Sequence, residues 1–136
     1  MTTLTASAAY SGVQPRAGIG INSVQGEIEL TSVTANDVVQ MVKVPLGAAI
    51  IDVKVSGDGA GTIVGTVSVG DGSDPDRFIT ATSASGAMAV QGINSAAGGC
   101  GYEYTAADTI DVTFAAVSTG SGTMTLRLQA LYTMDP

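Results

Sequence analysis

Residues 62–78, TIVGTVSVGDGSDPDRF, are the stretch of this chain whose pattern is easiest to interpret. The first half alternates apolar and polar side chains, which is the two-residue period of a β-strand, with the apolar ones at Ile63, Val67 and Val69. Residues 70–76, GDGSDPD, then combine glycine, aspartate and proline, the residues that favour tight turns. The chain leaves through Arg77, Phe78 and Ile79. The stretch therefore predicts a strand, an acidic corner and a return strand.

Other segments repeat this alternation, and none has a sustained period of 3.6 residues that would predict a helix. Strands are predicted at residues 26–33, 38–44, 49–56, 88–90, 109–116 and 123–132. Residues 101–105, with Tyr102 and Tyr104 on one side, predict either a half-buried strand or an interface. Eight or nine short strands separated by turn residues are typical of an all-β fold. We predict an antiparallel β-sandwich, jelly-roll-like, with an extended N-terminal arm.

The same alternation predicts which side chains form the core. In residues 49–56 it places Ile51, Val53 and Val55 inward and the opposite charges Asp52 and Lys54 outward as a solvated pair. The last two strands are the clearest, and their predicted inward residues are Ile110, Val112, Phe114, Ala116, Met124, Leu126, Leu128, Ala130 and Tyr132.

A chain of 136 residues predicts one domain, which we place at residues 25–136 after an arm at residues 1–24. The chain contains 18 Gly and no Trp, so it has much conformational entropy to lose and few large side chains to bury. We therefore expect contacts between subunits to contribute to its stability. Apolar residues in the segment before residue 25, among them Val13, Ile19 and Ile21, favour an arm that lies on a neighbouring molecule over a disordered terminus.

The net charge of −7 argues against two classes of partner. Nucleic acids and anionic membrane surfaces are bound through basic patches, and this chain has five basic residues in total. No apolar run reaches the roughly 20 residues of a membrane-spanning helix, and no signal peptide is recognisable. We expect synthesis in the cytoplasm, with no nucleic-acid or membrane partner.

Catalysis is not expected from these residues. The chain has no histidine, and its one cysteine, Cys100, lies in a glycine-rich loop where a small packed residue is the simpler interpretation than a reactive thiol. Asp71, Asp74 and Asp76 could supply oxygen ligands to Ca²⁺, but their spacing is not that of an EF-hand and aspartates are ordinary turn residues. We therefore predict no enzyme activity, no cofactor and no metal site.

Two segments are candidates for contacts with other proteins. The first is the arm, with Val13, Pro15, Arg16, Ile19 and Ile21 as contact residues. The second is the corner, where Asp74, Asp76, Arg77 and Phe78 could present charges and an apolar anchor to a partner. At the corner an internal ion pair of Arg77 is an equally good interpretation.

Several stretches in combination resemble small virion proteins of tailed bacteriophages. They are SGVQPRAGI (11–19), VVQMVKVP (38–45), VSVGDGSDPDRFI (67–79), GYEYTAADTIDVTF (101–114) and TGSGTMTLRLQALYT (119–133). The resemblance covers most of the chain, least clearly residues 80–99. It implies a head decoration, or cement, protein: a β-sandwich, commonly a homotrimer, on the outer surface of the capsid, with the major capsid protein as partner.

The composition agrees with this interpretation. An acidic protein suits the outside of a shell better than the surface facing packaged DNA, because like charges repel. The rival hypotheses are a receptor- or glycan-binding module, for which Tyr102 and Tyr104 are the paired aromatic candidates, and another structural protein of the tail or neck.

Overall fold

The computed structural model describes residues 2–6, 20–58, 64–85, 88–93, 98–119 and 121–134. They form nine β-strands: β1 (Thr3–Thr5), β2 (Ile21–Ser32), β3 (Val38–Val44), β4 (Ala48–Asp58), β5 (Val64–Gly70), β6 (Ile79–Ser85), β7 (Met88–Gln91), β8 (Asp108–Thr119) and β9 (Ser121–Met134). The described residues contain no helix of the length and hydrophobicity that crossing a membrane would require.

The strands form two sheets, which confirms the predicted β-sandwich. One sheet has the order β1-β3-β8-β5-β6 and the other the order β2-β9-β4-β7. Every pairing from β2 to β9 is antiparallel. Strands β2–β9 fold as one long antiparallel ribbon in which β2 faces β9, β3 faces β8, β4 faces β7 and β5 faces β6. This is the connectivity of an eight-stranded jelly roll.

The described part of the stretch at residues 62–78, which begins at Val64, occupies the tip of that ribbon. β5 and β6 pair with Val69 opposite Ile79, and the acidic corner at residues 71–78 connects them. The backbone amide of Phe78 donates to the carbonyl of Val69 at 2.9 Å, which closes the corner. The corner is thus the point where the chain reverses and begins to retrace its path beside the first half of the ribbon.

The core lies between the sheets and contains the inward side chains that the alternation predicts for β8 and β9. Ile110, Val112 and Phe114 from β8 are fully buried, as are Met124, Leu126, Ala130 and Tyr132 from β9, with Leu128 nearly so. The side chain of Ala116 lies outside the described residues. Burial of each large apolar side chain contributes about 1.5–3 kcal/mol to folding, so these two strands, one from each sheet, supply much of the stabilisation.

A β-bulge corrects the prediction for β4. Ile50 pairs with Tyr132 and Asp52 with Leu131, so Ile51 is an extra residue with no opposite partner on β9. Because the side-chain direction alternates along a strand, one extra residue exchanges the faces on either side of it. Ile50 is therefore fully buried and Ile51 is exposed, whereas Val53 and Val55 face the core as predicted. The side chains of Asp52 and Lys54 point away from the core, and Nζ of Lys54 lies 3.9 Å from Oδ2 of Asp52.

A second bulge, at Met41 of β3, lies against Gly26 of β2 in the other sheet. β3 pairs Gln40 with Asp111 and Val42 with Ile110, so Met41 is the extra residue. A β-carbon on Gly26 of β2 would collide with the backbone carbonyl of Met41. The close packing of β2 on β3 therefore requires glycine at position 26.

The ends of the predicted arm belong to the two sheets. Thr3–Thr5 form β1, which pairs in parallel with β3, and Ala6 is fully buried. Residues 21–24 are the beginning of β2. The predicted arm at residues 1–24 therefore includes two segments, residues 3–6 and 21–24, that belong to the sandwich itself. Residues 7–19, between them, lie outside the described residues. The strand predicted at residues 101–105 is reduced to a single bridge between Glu103 and Ala49.

Candidate functional site

The corner between β5 and β6 is organised around the carboxylate of Asp71. Its Oδ1 accepts hydrogen bonds from the backbone amides of Ser73, at 3.0 Å, and Asp74, at 2.9 Å. These two bonds are the aspartate turn that the local sequence predicts. The Asp71 side chain is only 1% exposed, so its charge must be neutralised inside the protein.

Arg77 supplies the neutralising charge. Its Nε donates to Oδ2 of Asp71 at 2.7 Å and its Nη2 donates to Oδ1 at 3.3 Å, a two-point arrangement that suits the planar guanidinium. Nη1 also lies 3.8 Å from Oδ2 of Asp74. Of the two interpretations of this corner, the internal ion pair describes Arg77 in this structure, and its main partner is Asp71.

A second segment, residues 99–104, binds to the corner from the other sheet. Its backbone pairs with the edge of β4: Ile50 N donates to the carbonyl of Tyr102 at 2.9 Å and Tyr104 N donates to the carbonyl of Ala48 at 2.9 Å. The Tyr104 hydroxyl donates to Oδ2 of Asp71 at 2.9 Å. The segment therefore connects the four-stranded sheet to the corner of the five-stranded sheet.

The rings of this segment stack on one another and on Arg77. The Arg77 guanidinium carbon lies 3.7 Å from the centroid of the Tyr102 ring, a cation–π contact. The Tyr102 and Tyr104 rings meet edge to face, with centroids 5.0 Å apart. Tyr104 is buried and Tyr102 is half-buried, so both tyrosines are engaged inside the protein and do not form an open platform for a sugar.

The proton affinities of these groups follow from their contacts. Burial alone would raise the pKa of Asp71, but hydrogen bonds from Arg77, Tyr104 and the Asp74 amide, with the charge of Arg77, hold that pKa below its ordinary value. The hydrogen bond to Asp71 raises the pKa of Arg77. Burial, followed by the negative charge of Asp71, raises the pKa of Tyr104. At neutral pH the corner therefore holds an ion pair beside a neutral phenol.

A second buried carboxyl, Asp111, lies on β8 beside the corner. It pairs in register with Gly70 on β5 and accepts a hydrogen bond of 2.8 Å from the Thr109 hydroxyl. No arginine or lysine is among the groups that shift its proton affinity. Burial first, and then the negative charges of Asp108 and Asp71, raise the pKa of Asp111 to about 6.

The structure places the predicted contact residues in three different settings. Val13, Pro15, Arg16 and Ile19 lie outside the described residues. Ile21 is 69% exposed at the start of β2, whereas Phe78, considered as an anchor for a partner, is fully buried in the core. Asp74 is partly exposed and Asp76 is exposed. Their roles as contacts stay predictions, but Phe78 is not accessible to a partner here.

The roles of Asp71 and Asp111 were not predicted. The turn pattern at residues 70–76 pointed to Asp71 as a turn residue, but its bond with Tyr104 spans 33 residues and has no local signal. Among the described residues, no group of three acidic or cysteine side chains is arranged to hold a metal ion. Cys100 is exposed, in contrast to the packed position predicted for it.

Comparison with known proteins identifies the fold. No protein-family model matches the chain, and no curated protein sequence matches it significantly. A chain of the capsid of Ralstonia phage GP4 matches with a TM-score of 0.76 and 20% identity, covering 99% of this chain and 99% of that chain. A chain of the Cyanophage Pam1 capsid asymmetric unit matches with a TM-score of 0.66 and 20% identity, covering 90% of this chain and 92% of that one.

A third match is more distant. A chain from the acidic stable capsid structure of Helicobacter pylori bacteriophage KHP30 has a TM-score of 0.52 and 17% identity, covering 88% of this chain and 90% of that chain. The protein therefore shares its jelly-roll fold, over nearly its whole length, with chains of bacteriophage capsids.

Proposed function

We propose that this protein is a structural protein of a bacteriophage virion and, more specifically, a decoration or cement protein of the head. It binds the outer surface of the shell at the junctions between capsomers, with the major capsid protein as its partner. The observation that carries the proposal is the match, over 99% of both chains, between this fold and a chain of a phage capsid.

The charge of the chain supports a position on the outside. At −7 the protein would be repelled by packaged DNA, which is itself densely negative. Its corner arginine, Arg77, is already engaged by Asp71 and is not available to a phosphate. The outer surface of the shell has no such polyanion.

The proposed action is mechanical and has no chemical step. Many copies, each with a small interface, hold neighbouring capsomers together and raise the barrier to rupture of the shell. Assembly as a homotrimer agrees with the small apolar side chains of this chain, because a symmetric oligomer adds burial that the single chain lacks. The arm residues Val13, Pro15, Arg16 and Ile19, with Ile21, are proposed to reach the shell or a neighbouring subunit.

The fold decides how the arm is tested. Deletion of residues 1–24 would also remove β1 and the first four residues of β2, so loss of binding could simply reflect unfolding. The substitutions Val13→Ser, Arg16→Ser and Ile19→Ser, made together, keep both strands. Reduced occupancy of shells by this variant, with an unchanged circular dichroism spectrum, would support the contact role. Unchanged occupancy would remove it.

The function itself is tested with heads that lack the protein. Heads from a phage with the gene deleted are mixed with purified protein, and the bound copies are counted by quantitative mass spectrometry against the major capsid protein. We expect copy numbers comparable to those of the capsid protein, trimers on the outer surface by electron cryomicroscopy, and release of DNA at a higher temperature from decorated heads.

The rival hypotheses predict different numbers. A receptor-binding, tail or neck protein is present in few copies for each virion, so a low copy number or a location on the tail would overturn the proposal. The glycan-binding alternative has lost its main candidates, because Tyr104 bonds to Asp71 and Tyr102 stacks on Arg77. Binding to a glycan array would restore it.

A further inference from the structure

The large apolar side chains that remain exposed in the described part of the chain lie at one end of the four-stranded sheet. They are Ile21, Leu46 and Ile51. Ile21 is paired with Thr133, which is paired in turn with Ala49 on β4, and Ile51 follows two residues later. Leu46 lies in the turn just before β4. Clustered exposed apolar side chains with polar neighbours mark interaction surfaces in soluble proteins.

The rest of the same sheet face is charged. We call it the outer face: the outward side chains of β2, β9 and β4, which pair in rows across the sheet. Its described residues include four carboxylates, those of Glu27, Glu29, Asp52 and Asp58, and two cations, those of Lys54 and Arg127. The outer face therefore has a net negative charge.

Both cations on this face already have partners. Arg127 Nε donates to Oε2 of Glu27 at 2.8 Å, and Nη1 lies 3.7 Å from Oδ2 of Asp58. Lys54 is 3.9 Å from Asp52. The row at the far end of the face places Glu29 and Asp58 on either side of Thr125. Three carboxylates, those of Glu27, Glu29 and Asp58, lie near one arginine, Arg127, which contacts Glu27 and Asp58. This end of the face is therefore negative, and a positive partner would complement it.

The outer face also contains a concave region. A depression of about 390 Å³ runs between β2 and β4 above β9, and it is lined by Gln25, Glu27, Lys54, Ser56, Arg127 and Gln129. It lies between the apolar end and the acidic end. From the row of Ile21 to the row of Glu29 is eight residues, about 27 Å along a strand.

We propose that the outer face docks on the shell by receiving an extended, basic segment of a shell subunit. This inference rests on the proposed function and names the surface and the chemistry of the partner. The segment carries an apolar side chain over Ile21 and Ile51. Its lysine or arginine side chains follow six to eight residues away, where they meet Glu27, Glu29 and Asp58.

The test compares charge variants of the full chain on heads that lack the protein. The double variant Glu29→Lys/Asp58→Lys should bind roughly tenfold or more weakly than the natural sequence, because it opposes like charges. Its binding should also depend less on salt between about 50 and 300 mM NaCl, where exposed charges become screened. Ile21→Ser/Ile51→Ser should weaken binding at every salt concentration.

The control is the double variant Ala81→Lys/Ala115→Lys, at two exposed positions of the five-stranded sheet. It changes the net charge in the same direction without touching the outer face. Carbodiimide, which joins carboxylates to amines in contact, should cross-link Glu29 or Asp58 to a lysine of the major capsid protein. Thermal unfolding of each purified variant shows whether its fold is intact.

The outcomes separate this inference from the proposed function. Failure of the natural sequence to bind heads would overturn both. Normal binding by the outer-face variants, or an equal loss with Ala81→Lys/Ala115→Lys, would overturn the docking surface and leave the proposed function in place. A cross-link between two copies of this chain would also overturn it, by assigning the face to the oligomer.

Discussion

The hydroxyl of Tyr104 donates a buried hydrogen bond of 2.9 Å to Oδ2 of Asp71, 33 residues earlier in the chain. Asp71 belongs to the corner of the five-stranded sheet, and the backbone of Tyr104 is bonded to β4 of the four-stranded sheet. One buried side-chain bond therefore connects the two layers of the sandwich. The ion pair with Arg77 keeps the Asp71 carboxylate charged. A hydrogen bond to a charged acceptor is stronger than a hydrogen bond between neutral groups.

Removing this hydroxyl should destabilise the protein. Tyr104→Phe keeps the ring and its packing but leaves a buried carboxylate with one donor fewer, so we expect the free energy of unfolding to fall by about 1–3 kcal/mol. Tyr102→Phe is the control, since its ring still stacks on Arg77. Urea unfolding followed by circular dichroism measures both. Equal stability of Tyr104→Phe and the natural sequence would show that the bond contributes nothing.

The raised pKa of Asp111 predicts that the protein becomes more stable when the pH is lowered from 7 to 5. Burial, with Asp108 and Asp71 nearby, raises its pKa to about 6 in the folded protein, against about 3.9 in an unfolded chain. A raised pKa means that the protonated form favours folding, so this contribution is complete below about pH 3.9 and is lost as the pH rises through 6. We therefore expect the free energy of unfolding of the natural sequence to rise by about 1 kcal/mol when the pH is lowered from 7 to 5.

The lowered pKa values of other groups do not oppose this gain. The pKa of Asp37 is lowered mainly by a hydrogen bond from the Thr34 backbone. The pKa of Asp71 is lowered because its hydrogen bonds and Arg77 outweigh burial. Both contributions are lost only as the pH falls below the ordinary aspartate range. Asp111→Asn should abolish the difference between pH 5 and pH 7, measured by urea unfolding at one protein concentration. A difference that persists in Asp111→Asn would assign it to another group.

Gly70, at the end of β5, should not tolerate any side chain. A β-carbon there would collide with the carbonyl oxygen of Asp74 and with the backbone of Pro75, and backbone atoms cannot move aside as a flexible side chain does. Gly70→Ala should therefore lower the melting temperature by several degrees or prevent folding. Gly72, two residues later, has open space around the same position, so Gly72→Ala should be nearly neutral. Equal melting temperatures for the two variants would contradict this packing.

The bulge in β4 makes two adjacent isoleucines unequal. Ile50→Ala removes a fully buried side chain from the core and should cost about 2–5 kcal/mol. Ile51→Ala changes a side chain that is 38% exposed and should cost less than about 1 kcal/mol. Denaturant unfolding of the two variants measures the difference. The reverse order would restore the regular alternation that placed Ile51 in the core.

Local patterns in the sequence determined most of the strands and the ribbon tip. β3, β8 and β9 agree with the predicted segments to within a few residues, because side chains that alternate along one strand need no information from elsewhere in the chain. The turn at residues 70–76 was equally local, since aspartate, glycine and proline act on their own neighbouring backbone. The all-β class followed from these elements together.

Only the tertiary structure decided the features that depend on which strands become neighbours. Ile51 is an extra residue only with respect to the pairing of β4 with β9. β1 pairs with β3, and each residue of β1 lies opposite a residue 35 positions later in the chain. The bond between Tyr104 and Asp71 and the burial of Asp111 likewise require distant segments to meet. Such contacts produce no repeating pattern in the sequence. Their energy comes from burial and electrostatics between segments that are far apart in the chain, whereas a sequence pattern reports on one segment at a time.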